Sequence, residues 1–154
     1  KWEFYSKWAE KGQRYKKDLL FLVDEDTIAF NKIIDGFRMP KSTPEEVKTR
    51  QEAIENATKY ATEIPFKVME TAYNSMEVMM AMAKGGIQNS LSDAGVGALC
   101  ARTAVIGAYF NVRINAKDIK DKSFAEEILS KAKEIYDKTK LLENEMIQLI
   151  DSKI

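Results

Sequence analysis

The chain has 154 residues, 45% apolar and 31% charged, a balance that suits a packed core under a solvated surface. Lys plus Arg and Asp plus Glu stand at 24 each, so no net field draws nucleic acid or an anionic membrane, and neither partner is expected. One cysteine, Cys100, and no histidine exclude an internal disulfide, a Cys/His zinc site and a His-based triad.

The first helix is expected from residue 1 to about 38, where Leu19, Leu22, Asp26, Phe30, Ile33 and Phe37 recur at steps of three and four. Asp26 interrupts that stripe, and a carboxylate there would be partly desolvated unless it is paired or hydrogen-bonded. Asp24 and Glu25 lie off the stripe and read as solvated. Trp2, Trp8 and Tyr15 suggest that the lysine-rich start still leans on other elements. Met39-Pro40 ends the helix, because the residue before proline is pushed out of the α region.

Thr43-Pro44-Glu45-Glu46 reads as a capping box with proline at the first helical position. The stripe that follows is Val47, Arg50, Ile54, Ala57, Ala61 and Ile64. Arg50 cannot shed its charge and needs a carboxylate or an anionic ligand. Pro65 predicts a break or kink, after which the helix resumes through Met76, Met79 and Met82 as adaptable core packing. Gly85-Gly86 stops it.

Ser90 or Ser92 is the expected cap of the next helix, with Asp93 in its first turn and an end near Asn115. Asp93, Gly97, Cys100, Ala104, Gly107, Asn111 and Asn115 share one face. Its small centre reads as close helix packing, within the bundle or across a dimer, or as a surface for a flat ligand. Cys100 is expected to be inert core. Asp93 reads equally as a dipole-complementing residue or a proton carrier, and Asn111 and Asn115 as helix ends or as amides that grip a heterocycle. Asp26 and Arg50 read as one buried ion pair between the first two helices, or as separate site groups. Residues 118 to 121 form a turn, and Ser123-Phe124-Ala125-Glu126 reads as a second capping box, opening a last helix with Ile128, Ala132, Ile135, Leu142 and Met146 on its stripe. No β signal is present. The expected fold is all-α, an antiparallel bundle of long helices in an intertwined or face-to-face dimer. The start at Lys1 reads as a piece of a longer polypeptide, so residues 1–154 are expected to form one N-terminally incomplete helical domain. The longest apolar run, near residues 78–83, is far below the ~20 residues of a membrane span, and a soluble cytoplasmic domain is expected.

Several stretches, taken in order, resemble one family. They are Asp26-Thr27-Ile28-Ala29-Phe30-Asn31, Phe37-Arg38-Met39-Pro40-Lys41, Arg50 with Ala53, Ile64-Pro65-Phe66, Asn89 to Gly95, and Gly107 to Asn115. Together they look like the cyclodeaminase domain of formiminotransferase-cyclodeaminase, shared with methenyltetrahydrofolate cyclohydrolases. The family's upstream Pro-Gly-Gly-Ser segment has no counterpart here, and Gly85-Gly86-Ile87-Gln88 stands where its loop reads Gly-Asn. The resemblance implies a tetrahydrofolate derivative as substrate, no metal, and a homodimer or higher homo-oligomer with folate near the subunit interface. It also implies release of ammonia from 5-formiminotetrahydrofolate, or hydrolysis of the methenyl compound. With no histidine, Asp93 and Asp26 become the expected catalytic carboxylates. Asn89, Asn111, Asn115, Arg50 and Lys41 become the expected substrate-binding groups. The competing expectation is a non-catalytic helical dimerisation module.

Overall fold

The computed structural model describes residues 1–154 and contains four long helices and one 3₁₀ turn. They are α1 (Trp2–Arg38), α2 (Pro44–Gly85), the 3₁₀ turn Gln88–Ser90, α3 (Leu91–Ala116) and α4 (Lys122–Asp151). Short connections make successive helices antiparallel neighbours. α2 is central: it packs against α1, α3 and α4, and α3 also packs against α4. The largest core joins Met69 and Ala72 of α2 to Val105, Ala108 and Val112 of α3 and Ile128 and Ala132 of α4. Met76, with Ala98, Ala101 and Met146, continues it toward the far end.

Local chemistry sets most boundaries. Thr43 accepts from Glu46 N–H at 3.2 Å while the Glu46 carboxylate accepts from Thr43 N–H at 3.0 Å, which closes the expected capping box. At the other end of α2, Lys153 Nζ donates to the carbonyls of Ala83 (2.6 Å) and Lys84 (3.0 Å), so a cation from the C-terminal tail closes the helix. The Glu55 carboxylate accepts from the N–H groups of Lys120 and Asp121 at 3.0 Å, tying the α3–α4 connection onto α2.

Five sequence expectations change. α1 buries Leu22, Ala29 and Gly36, while Asp26, Phe30 and Phe37 of the expected stripe are exposed. The true contact line is narrow because α1 approaches α2 closely; a Cβ on Gly36 would lie 3.0 Å from Ile54 Cγ1. α2 runs through Pro65 without a break. α4 starts at Lys122, with Asp121 as its cap accepting from Phe124 N–H at 3.1 Å, rather than at a Ser123 box. Ser90 occupies the N-cap of α3 without a side-chain bond, after the 3₁₀ turn has already redirected the chain.

The fifth change concerns α3. Its buried side is Leu91, Ala94, Ala98, Ala101, Val105, Ala108 and Val112, and the face with Cys100 and Gly107 points outward. A Cβ on Gly107 would meet nothing within 4 Å. Within this chain that face is bare, and Cys100 is not core. Counting uninterrupted runs also understates this helix: Gln88–Ala116 is long and apolar enough to cross a membrane by length and composition, with mean hydropathy 1.2 and 33% of its most apolar window buried.

Candidate functional site

The predicted site residues fall at two ends of the bundle. At one end α1 finishes, α2 begins and α3 finishes. Arg50 is half-buried there, donating from Nη2 to the Phe37 carbonyl at 3.3 Å with its guanidinium 5.5 Å over the Phe37 ring. It thus caps the last turn of α1, where the helix dipole favours a cation. Its Nε is sealed from water and has no acceptor. Asp26 is about 16 Å further back along α1 than Phe37, at 1.5 Å per residue. It is exposed, and no ion pair joins it to Arg50. The expected buried pair is therefore absent. Lys41 is exposed in the α1–α2 connection.

Asn115 has a structural task at this end. Pro65 has no N–H, so the carbonyl of Ala61, four residues back, loses its helical donor. Asn115 Nδ2 donates to that carbonyl at 2.8 Å. An amide on α3 repairs the backbone of α2, and this is why the helix passes through proline. Ala61 packs with Leu22, Ala29 and Ile64, so the same turn of α2 carries both the α1 contact and the α3 bond.

The other end holds Asn89, exposed in the 3₁₀ turn, and Asp93, exposed in the first turn of α3. Asn111 is exposed on the same face of α3 as Asp93. They are 18 positions apart, about five turns, so they align but stand about 27 Å apart along the axis. No cluster of three or more metal-ligating side chains exists anywhere in the chain.

The well-formed clefts lie elsewhere. One, of 490 Å³, is lined by Lys32, Asp35, Met39, Ala53, Asn56 and Tyr60 and sits beside the Met39-Pro40-Lys41 connection. Lys32 Nζ lies 4.0 Å over the Tyr60 ring, and Tyr60 donates a short hydrogen bond to Glu25, so Glu25 is not simply solvated.

Sequence reading missed a second cleft, of 470 Å³, between the first turns of α1 and the end of α2, lined by Phe4, Trp8, Glu77, Met80 and Lys84. Beside it Glu77 accepts from Lys11 Nζ at 2.7 Å and from Tyr15 Oη at 2.5 Å. Burial and then the hydrogen bond to Glu77 push the Tyr15 phenol up to about 12. Those two donors hold the Glu77 carboxyl below its ordinary value. The tryptophans were the available signal: Trp8 leans into this cleft, although Trp2 stays exposed. None of the predicted residues lines either cleft.

Comparison with known proteins bears on residues at both ends. The profile of the family described as formiminotransferase-cyclodeaminase matches residues 1–134. The chain is 30% identical over 145 residues to the methenyltetrahydrofolate cyclohydrolase of Methylorubrum extorquens, covering 94% of this chain and 70% of that protein. It is 39% identical over 110 residues to the formimidoyltransferase-cyclodeaminase of Gallus gallus, covering 71% of this chain but 20% of that protein. The solved formiminotetrahydrofolate cyclodeaminase of Thermotoga maritima superposes with a TM-score of 0.78 at 21% identity, over 91% of this chain and 66% of that one, and shares the helical fold.

Proposed function

The chain belongs to the formiminotransferase-cyclodeaminase family, whose relatives above are named as enzymes, and from that premise we propose that it acts on the one-carbon unit carried between N5 and N10 of tetrahydrofolate. The first reading is cyclodeamination of 5-formiminotetrahydrofolate. N10 adds to the carbon of the protonated amidine and gives up its proton, the former imine nitrogen takes a proton, and ammonia leaves the tetrahedral adduct as the 5,10-methenyl cation forms. Positive charge develops at the carbon, so carboxylates suit the task better than an oxyanion hole. Asp93 and Asp26 are the assigned carboxylates; both are open to an incoming ligand. Asn89 and Asn111 orient the pterin or the amidine. Arg50, the half-buried cation at the end of α1, and Lys41 take the anionic tail of the folate. Asn115 becomes a positioning residue, because one of its donors is committed to Ala61.

What carries this reading is the match over residues 1–134, which takes in every one of these positions. A second reading, opening of the methenyl ring by water, is favoured by the more extensive alignment to the M. extorquens cyclohydrolase. The full-length protein should be given each folate in turn. Ammonia together with the methenyl chromophore from 5-formiminotetrahydrofolate supports the first reading. Rapid loss of the chromophore without ammonia supports the second, and no turnover of either compound refutes both.

A further inference from the structure

The turn that carries Asn89 has little of its own to hold it in place. Ile87, Gln88, Asn89 and Ser90 are all exposed, and the 3₁₀ turn buries no residue. Its backbone bonds are local: Gly86 N–H donates to the Met82 carbonyl at 2.8 Å, and Ser90 N–H to the Ile87 carbonyl at 2.9 Å. Such bonds shape a turn without fixing where it points, and a segment with few buried contacts opens at little cost. The start of α3 is anchored differently, because Leu91 and Ala94 pack with Ala83 and Ile150.

Lys153 ties the turn to the rest of the molecule. Gln88 Nε2 donates to the Lys153 carbonyl at 2.7 Å. The side chain of the same lysine grips the last turn of α2, donating to the carbonyls of Ala83 at 2.6 Å and Lys84 at 3.0 Å. Bonds from an ammonium group are stronger than neutral ones, and a helix C-terminus favours a cation. The end of α4 aims Lys153 in turn: its N–H donates to the Ile150 carbonyl at 2.9 Å, and Ile150 is fixed in the core beside Leu91 and Ala94. A chain of contacts therefore runs from the end of α2 through Lys153 to Gln88, the neighbour of Asn89. Lys153 lies outside the family match over residues 1–134.

We propose that Lys153 is a positioning residue for the folate site: it fixes the Gln88–Ser90 turn, so that Asn89 is presented to the substrate in one orientation. It acts through Asn89 and touches no reacting atom. The positioning role rests on the folate reading above, whereas the hold on the turn does not.

Two measurements on the full-length protein separate the hold from its use. The Ser90 and Leu91 amides are both bonded within the turn, so their hydrogen exchange reports its opening. Exchange there should quicken in K153M and in Q88A, and no further in the double variant, because both changes cut the same chain of contacts. K153R keeps a cation with donors for both carbonyls and should exchange as the wild type does. For the use, the probe is 5-formyltetrahydrofolate, whose formyl oxygen stands where the leaving nitrogen would be. Its affinity should fall on the order of tenfold in K153M, the size of one lost hydrogen bond, and recover in K153R, with helical content unchanged throughout. In an N89A background K153M should cost nothing further. Exchange unchanged in K153M overturns the hold. Affinity unchanged in K153M, or an equal loss with and without Asn89, overturns the positioning role. A wild type that binds no folate refutes the functional reading instead, and exchange then decides alone whether Lys153 holds the turn.

Discussion

α3 and α4 are both long helices that pack on α2, yet they are built for different surroundings. α4 buries Ile128, Ala132 and Met146 on one side and shows water a face laced with ion pairs one turn apart: Lys131 with Glu127 at 2.5 Å, Lys133 with Asp137 at 2.5 Å, and Lys138 with Glu134. α3 buries one side equally well but carries no charge on the other between Asp93 and Arg113. A helix apolar all round suits apolar surroundings on both sides, whether protein or lipid. α4 thus presents a charged, solvated surface, whereas the outer face of α3 is apolar and bare within this chain.

The sharpest way to break the contrast is to charge the outer face of α3. If a second copy covers that face, as the homo-oligomer expected from the sequence would allow, Thr103→Lys buries an unpaired ammonium group in the contact. Dissociation by sedimentation is then expected, with the helical content unchanged. A dimer that tolerates this lysine would show that α3 faces water after all.

The same contrast explains what the sequence made legible. Thr43-Pro44, Met39-Pro40 and Gly85-Gly86 set helix ends through local chemistry and were read correctly. The α4 stripe was equally clear because only one of its faces is apolar. α3 gave no such signal: with small or apolar residues on every side, spacing alone could not tell the Ala94–Ala98–Ala101 face from the Gly97–Cys100–Gly107 face. α1 misled for another reason. Its bulky residues, Phe30 and Phe37, suggested the core, whereas the contact with α2 uses the small Ala29 and Gly36. The family match over residues 1–134 takes in every expected site position. Their spacing in the fold was not legible, and Asp93 and Asn111 stand about 27 Å apart along α3.

A smaller effect tests the joint between α3 and α2. Asn115→Ala leaves the Ala61 carbonyl without a donor, a loss of about 1–3 kcal/mol by denaturant titration. In a Pro65→Ala background the helix supplies its own N–H to that carbonyl, so the same change should cost much less. The double-mutant cycle isolates this coupling from any general effect of the asparagine. Equal costs in both backgrounds would return Asn115 to the ligand-binding set without a structural task.

The tie between α1 and the end of α2 should be lost only at high pH. Tyr15 is raised from 10.0 to about 12, by burial first and then by its bond to Glu77. In the unfolded chain the phenol ionises near 10 while the folded one stays neutral, so the unfolded state holds fewer protons above that pH. This contribution is therefore fully present below about 10 and is lost as pH rises toward about 12. Melting temperatures across that interval should fall less steeply in Tyr15→Phe than in the wild type.

The smallest effect is expected on the outer face of α4, and it is the control that gives the α3 result its meaning. The Lys138 hydrogen bond lowers the Glu134 carboxyl, so by sign its contribution is present at neutral pH and fades as the carboxylate protonates in acid. Both partners are largely exposed, however, and water and salt screen an exposed pair at one-turn spacing while ordering its long side chains costs entropy. Glu134→Ala should leave the melting temperature, its salt dependence and the oligomeric state where they are. If removing this carboxylate instead loosened an assembly of copies, α4 would be carrying part of its interface. The asymmetry between the two helices would then have to be redrawn, with charge complementarity rather than apolar cover as the force that joins two copies.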